Sequence, residues 1–308
     1  APLEHLIKLI QESHLPEAQE KLSQIMDMEA WGRFSAFESL TQTMHTDEIH
    51  NWRIYFDPWR SRFVPIVWDP MGWIGTLRGA SIGNNRIPNS LMKALYSNGD
   101  FIRARSEALH TFFDNNTDQE FLKLVSTTTR IMMQEINTDP YLNPPQPDIV
   151  NRWLRLLGSK IGEVLGNNDL WLNDVNASIR LDAQNLDLVV RGKHPIERLR
   201  LNLSEAVKTP PKATAYYHLT TSEEKIDLPV VATNTGESLV IRGGFLPNLT
   251  VATEARNRGS LQSTPGFYRI SLKGLNQNTK ILSAEVNRGL GWIPAEAVDS
   301  ITPTVFSQ

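Results

Sequence analysis

The apolar residues of this chain change their spacing near residue 166, and that change limits the chain to a helical part followed by a β part. Up to about Leu165 the spacing is mostly helical. Leu3, Leu6, Ile7 and Ile10 fall on one face, and Trp31, Phe34, Phe37 and Leu40 on another. Pro88 suits the first turn of a helix carrying Leu91, Leu95 and Ile102. Thr117 and Glu120 are spaced as a capping box ahead of Phe121 and Leu122. Pro147-Asp148 opens a last helix with Ile149, Trp153, Leu157, Ile161 and Val164, and Gly166-Asn167-Asn168 reads as its stop. Beyond residue 168 short strand-like runs recur: Leu186–Val190, Ile196–Leu201, Thr214–Leu219, Ser238–Ile241, Phe267–Leu272 and Ile281–Val286. Asn234-Thr235-Gly236 and Arg242-Gly243-Gly244 read as turns between them, and Pro210-Pro211 as a loop. The expected fold is multi-domain α plus β, a helical domain at 1–166 and an all-β, sandwich-like domain at 169–308.

One segment interrupts the helical half. Trp52-Arg53-Ile54-Tyr55-Phe56 alternates like a strand and runs into Asp57-Pro58; Arg62-Phe63-Val64-Pro65-Ile66-Val67-Trp68 returns as a second. The two predict an inserted β-hairpin, with Asp47 and Asn51 just before it and Asp69 just after. Trp52, Trp68 and Trp73 are expected in the core.

Composition narrows the function classes. A chain of 308 residues with 40% hydrophobic and 21% charged side chains has room for two cores. A formal net charge of −3 leaves no basic footprint for nucleic acid. No apolar run reaches the roughly 20 residues that span a bilayer. There is no cysteine, which excludes disulfides, thiolate metal sites and a cysteine nucleophile. Asn-X-Ser/Thr sequons stand at Asn115, Asn176, Asn202 and Asn248, a triplet common by chance.

Phosphoryl transfer needs an oriented acceptor hydroxyl and side chains that hold metal ions on the phosphates. Protein kinases supply a catalytic Asp, an Asn a few residues on, and a second Asp beyond a hairpin. Asp47, Asn51 and Asp69 follow that order, and their oxygens are the hard donors Mg²⁺ prefers. Taken alone, the three also read as a loop end, a turn residue and a strand-end cap. As a pair of carboxylates, Asp47 and Asp69 would serve a glycosidase, but no aromatic cluster marks a sugar cleft beside them.

The stretches His50-Asn51-Trp52-Arg53-Ile54-Tyr55-Phe56-Asp57-Pro58 and Arg62-Phe63-Val64-Pro65-Ile66-Val67-Trp68-Asp69 resemble the signature of the CotH kinase family. Ile25-Met26-Asp27-Met28-Glu29-Ala30-Trp31 resembles that family's helix entry, and Asn89 through Phe113 its following helix pair. The likeness covers roughly residues 1–165. It implies a helical, protein-kinase-like C-lobe in which Asp47 is the catalytic base and Asn51 and Asp69 hold Mg²⁺ or Mn²⁺ with ATP. His50 and Arg53 are the cofactor-side candidates. His50 either orients the carboxylate beside it or packs as a structural histidine; Arg53 either reaches a phosphate or lies solvated on the strand face. Asp47 and Asn51 are four residues apart where the family has five, so Thr46 occupies the five-back position and His45 is a second candidate base. The strand-borne Lys and phosphate-covering loop of a kinase have no counterpart here, Gly79–Asn85 reading as a connecting loop. The chain is therefore expected to be a fragment that is inactive alone. The resemblance further implies a surface or spore-coat-like protein substrate and an extracytoplasmic or cell-surface location. The alternative is a non-catalytic surface or adhesion protein built on the same scaffold.

Overall fold

A computed structural model describes residues 1–43, 51, 53–70, 72–73, 85–87, 89–182, 184–219, 222–247, 250–251, 266–276 and 278–301. Across these the chain is mixed α and β, a helical amino-terminal part followed by a β-rich carboxyl-terminal part.

Three helices open the chain: α1 (Pro2–Gln11), α2 (Pro16–Ile25) and α3 (Met28–Thr41). The first two begin on proline, whose missing N–H costs nothing in a first turn. Asp27 caps α3, its carboxylate accepting the Ala30 N–H at 3.1 Å. The buried side of α1 is Leu6 and Leu9, whereas Leu3 and Ile7 are exposed, so the apolar face is rotated from the one expected. The hairpin follows as β1 (Ile54–Asp57) and β2 (Arg62–Pro65), then a short β3 (Arg86–Ile87).

α4 (Ser90–Tyr96) is capped by Asn89, and Pro88 lies outside the described residues. The helix expected to run on to Ile102 breaks instead at Ser97. Asn98 accepts the N–H groups of Asp100 and Phe101 and starts α5 (Gly99–Asp114) afresh. The Thr117/Glu120 capping box does not form. Asn116, in a left-handed conformation at φ 57°, precedes α6 (Thr117–Thr138), so Thr117 is already helical. The last helix, α7 (Gln146–Leu172), does not stop at Gly166–Asn168. Asn168 turns its amide back onto the carbonyls of Val164 (2.9 Å) and Ser39 (3.3 Å), and buried Leu165 and Leu172 carry the helix through.

The β part holds β4 (Val175–Asp182), β5 (Asn185–Gly192), β6 (Ile196–Leu203), β7 (Lys212–Leu219), β8 (Ser222–Leu228), β9 (Val230–Ala232) and β10 (Ser238–Phe245). β11 (Thr250–Val251), β12 (Gly266–Lys273), β13 (Ile281–Asn287), β14 (Trp292–Pro294) and β15 (Glu296–Ala297) complete it. All six runs expected as strands are strands. One sheet has the order β14-β13-β6-β10-β9 and the other β15-β4-β5-β12-β7-β8, antiparallel except where β15 meets β4. They share one apolar core, Leu188, Val190 and Ile270 from one sheet meeting Leu199, Leu201, Leu239 and Ile241 from the other.

Arg242-Gly243-Gly244 is not a turn. It lies inside β10, where the register against β6 slips between Arg242 and Phe245. A Cβ on Gly244 would stand 1.7 Å from the Tyr96 carbonyl oxygen, and the Gly244 N–H donates to Ser97 at 3.1 Å. The glycine lets the end of α4 dock on the sheet. Around this point α5 lies on β6 and β10, Leu246 enters the helical core, and β11 pairs in parallel with β3.

Candidate functional site

The hairpin is anchored through Phe63. Its carbonyl accepts from the Asp27 N–H and the Trp31 indole, both at 3.0 Å, and its ring packs on Phe56 at 4.9 Å. Arg60, beyond the tip, pairs with the Asp27 carboxylate. Burial pushes that carboxyl up, but the Ala30 N–H and Arg60 outweigh it and hold Asp27 below its usual value. The tip itself is an Asx turn, Asp57 accepting from the N–H of Trp59 at 2.9 Å and leaving that indole 95% exposed.

At the open end the ladder gains one rung, the Ile66 N–H donating to Arg53 at 2.9 Å. Arg53 and Trp68 share the outward face, the guanidinium 5.4 Å from the ring centroid. Trp68 is thus 52% exposed and not a core residue as expected. Asn51 and Asp69 flank this end, both with left-handed backbones, at φ 61° and 46°. Asn and Asp tolerate that region better than other side-chain-bearing residues. Four residues past Asp69, the half-buried Trp73 indole donates to Leu40 at 2.9 Å, satisfying an orphan carbonyl of the last turn of α3. The chain toward Asp47 leaves from that same helix end, at Thr43. His45, Thr46, Asp47, His50 and Trp52 lie outside the described residues, as does Gly79–Asn84. Among the described residues no three His, Asp or Glu side chains gather as metal ligands.

A second polar constellation was not anticipated from sequence. Arg105 is fully buried, its Nε donating to Ser35 Oγ at 3.2 Å and a terminal nitrogen to Ser39 Oγ at 2.8 Å. Next to it Ser106 Oγ lies 3.0 Å from His194 Nε2, which also donates to the Arg288 carbonyl at 2.9 Å. Burial, then the Arg105 charge, pushes the His194 imidazole down to about 3, and burial lowers His110, whose ring centroid is 6.2 Å away. These imidazoles are neutral at pH 7. They join α5 to the β5–β6 and β13–β14 turns and present no open face to a substrate. The partners come from α3, α5 and the β5–β6 and β13–β14 turns, far apart in the chain, so no local spacing in the sequence could have announced the cluster.

Comparison with protein-family models, with curated proteins and with solved structures finds no match to this chain.

Proposed function

We propose that the hairpin mouth is the metal and nucleotide end of a CotH-like, protein-kinase-like phosphotransferase that acts on protein hydroxyls. One observation carries the reading. The two expected metal donors, Asn51 and Asp69, stand in left-handed conformations at the two ends of one hairpin. Such conformations cost roughly 1–3 kcal/mol and gather at functional sites. The tie between Trp73 and Leu40 adds that the segments leading from Asp69 and toward Asp47 depart from the same end of α3.

On this reading Asn51 and Asp69 hold Mg²⁺ or Mn²⁺, which when bound neutralises phosphate charge during transfer. Asp47 orients the acceptor hydroxyl and takes its proton. Arg53, held over Trp68, would serve the cofactor side, the role that His50 shares on this reading. The substrate would be a surface or spore-coat-like protein outside the cytoplasm. The helical part would be the kinase-like C-lobe and the β part an all-β, sandwich-like domain that positions or attaches it.

Glycine tests the reading because it accepts φ > 0 without strain. In the protein carrying its whole catalytic lobe, Asp69→Gly should keep the wild-type far-ultraviolet circular dichroism and abolish radiolabel transfer from ATP. Asp47→Ala should cost transfer heavily and Thr46→Ala little. Transfer at the wild-type rate in Asp69→Gly would overturn the assignment. The second reading, a non-catalytic surface protein, is favoured by the exposed aromatic side chains of Tyr55, Trp59 and Trp68 on the same hairpin. It is the better one if the wild-type protein neither binds Mn²⁺·ATP in calorimetry nor transfers phosphate.

A further inference from the structure

Three nitrogens of the cluster around His194 are buried and have no hydrogen-bond partner in the protein: His110 Nε2, His194 Nδ1 and Arg288 Nε. A polar atom so placed has given up its hydration without replacement, and in native proteins it generally marks a bound water or ion. The rings of His110 and His194 meet edge to face with centroids 6.2 Å apart. Burial lowers both imidazoles, and the Arg288 charge adds to it in each, so the guanidinium stands near both rings. His110 belongs to α5, His194 to the β5–β6 turn and Arg288 to the β13–β14 turn.

The contacts already made fix which atoms carry hydrogen. The Arg288 carbonyl can only accept, so neutral His194 keeps its hydrogen on Nε2, 2.9 Å away, and Nδ1 is a bare lone pair. His110 turns Nδ1 toward the Asp114 carboxylate at 3.9 Å, which draws its hydrogen there and leaves Nε2 bare as well. Arg288 Nε is a donor in every state. The three atoms together call for a ligand that donates twice and accepts once.

We propose that one buried water molecule bridges His110, His194 and Arg288, donating to the two imidazoles and accepting from the guanidinium, and so ties the helical part to the β part. Three hydrogen bonds are about what a buried water makes. Histidines that hold a metal carry the same kind of outer hydrogen bond, so distance has to decide between the two ligands. A nitrogen lies about 1.2 Å from its ring centroid, and a water about 2.8 Å beyond it spans the two rings at an angle of about 100°, close to that between its own hydrogens. A metal at about 2.1 Å would have to open the angle to about 140°, far from tetrahedral. Charge agrees, since Arg105 and Arg288 both act on His194 and repel a cation. An anion is refused by the two bare lone pairs.

A high-resolution crystal structure of the intact chain should show one density about 2.7–3.2 Å from all three nitrogens. An empty cluster overturns the proposal, as does density about 2.1 Å from both imidazoles, which would be a metal. Anomalous density there after a bromide soak also overturns it and assigns the site to a halide. Thermal melts give a second reading. If the water is present, His110→Leu removes one of its acceptors and should lower the melting temperature by about 2–4 °C, while His110→Gln, which offers an oxygen instead, should lose less. Asp114→Asn, at a side chain 72% exposed, should change little, which separates the water from the Asp114 contact. If the cluster is dry, His110→Leu removes an orphaned atom, and a melting temperature that rises or stays level overturns the proposal.

Discussion

Glu197 and His194 stand three residues apart where β6 begins, both buried against α5, and their titrations act on stability in opposite directions. Burial pushes the Glu197 carboxyl up to about 7, with Arg198 and Arg103 opposing and Asp100 and Glu107 adding. The protonated acid is thus the form that suits the fold. Its contribution is full below about pH 4.5 and is lost as pH rises toward 7. His194, pushed down to about 3, suits the fold when neutral. Its contribution is full above about pH 6.5 and is lost as pH falls. Between about pH 4.5 and 6.5 these two slopes offset, leaving the rise toward pH 6.5 that His110, lowered by burial in the same way as His194, contributes to the native chain. Glu197→Gln should remove the falling slope and stabilise the chain by up to about 3 kcal/mol at pH 8, with no gain at pH 4. Urea unfolding at four pH values reads this directly. A Glu197→Gln profile parallel to wild type would mean that the carboxyl ionises without penalty. Nothing in Lys193-His194-Pro195-Ile196-Glu197 marks either side chain as buried. Their burial comes from α5, about ninety residues earlier in the chain, so it was not legible in the local sequence.

The hairpin and the main strands were legible because alternation is a local signal and each strand buries one of its two faces. The register Phe56↔Phe63 follows from aromatic residues at matched positions, and the turn from Asp57. Elements set by distant partners were not legible. Gly243-Gly244 has the composition of a turn, yet the residues fixing its conformation, Tyr96 and Ser97, are the last residue of α4 and its cap. Asn168 looks like a helix stop, but Ser39 across the α3–α7 contact satisfies its amide within the helix. The candidate site shares this limit: the ends of the hairpin could be read from its strands, while the Trp73–Leu40 tie that bends the return segment back to α3 could not. The glycine pair supplies a ranked prediction. Gly244→Ala sets a methyl against a backbone carbonyl that cannot yield, and should cost about 3 kcal/mol or more. Gly243→Ala meets only the end of the Leu228 side chain at 2.8 Å and should cost about 1 kcal/mol. Thermal melts of the two variants check the order, and equal losses would place the docking contact elsewhere.

For the molecule as a whole, the helical and β cores are distinct clusters, but the seam between them is broad. Lys93 pairs with Glu224 at 2.9 Å, the Asp227 N–H donates to His14 at 2.9 Å, and α7 runs unbroken across the sequence boundary expected at 166–169. Limited proteolysis should therefore cut first in the α6–α7 loop, where Tyr141 is exposed, and spare Gly166–Asn168. Early cleavage between 166 and 169 would show that the end of α7 opens independently.

The entry of Leu246 into the helical core sets an order of events during synthesis. The helices it completes, with Leu95, Phe101 and Ile102 among their buried side chains, leave the ribosome roughly 150 residues before it does. At 5–20 residues per second they wait on the order of ten seconds with an unfilled socket. β3 waits similarly for β11, its parallel partner. The amino-terminal half therefore cannot mature as it emerges, and a nascent chain stalled before residue 246 should bind chaperones that the released protein does not.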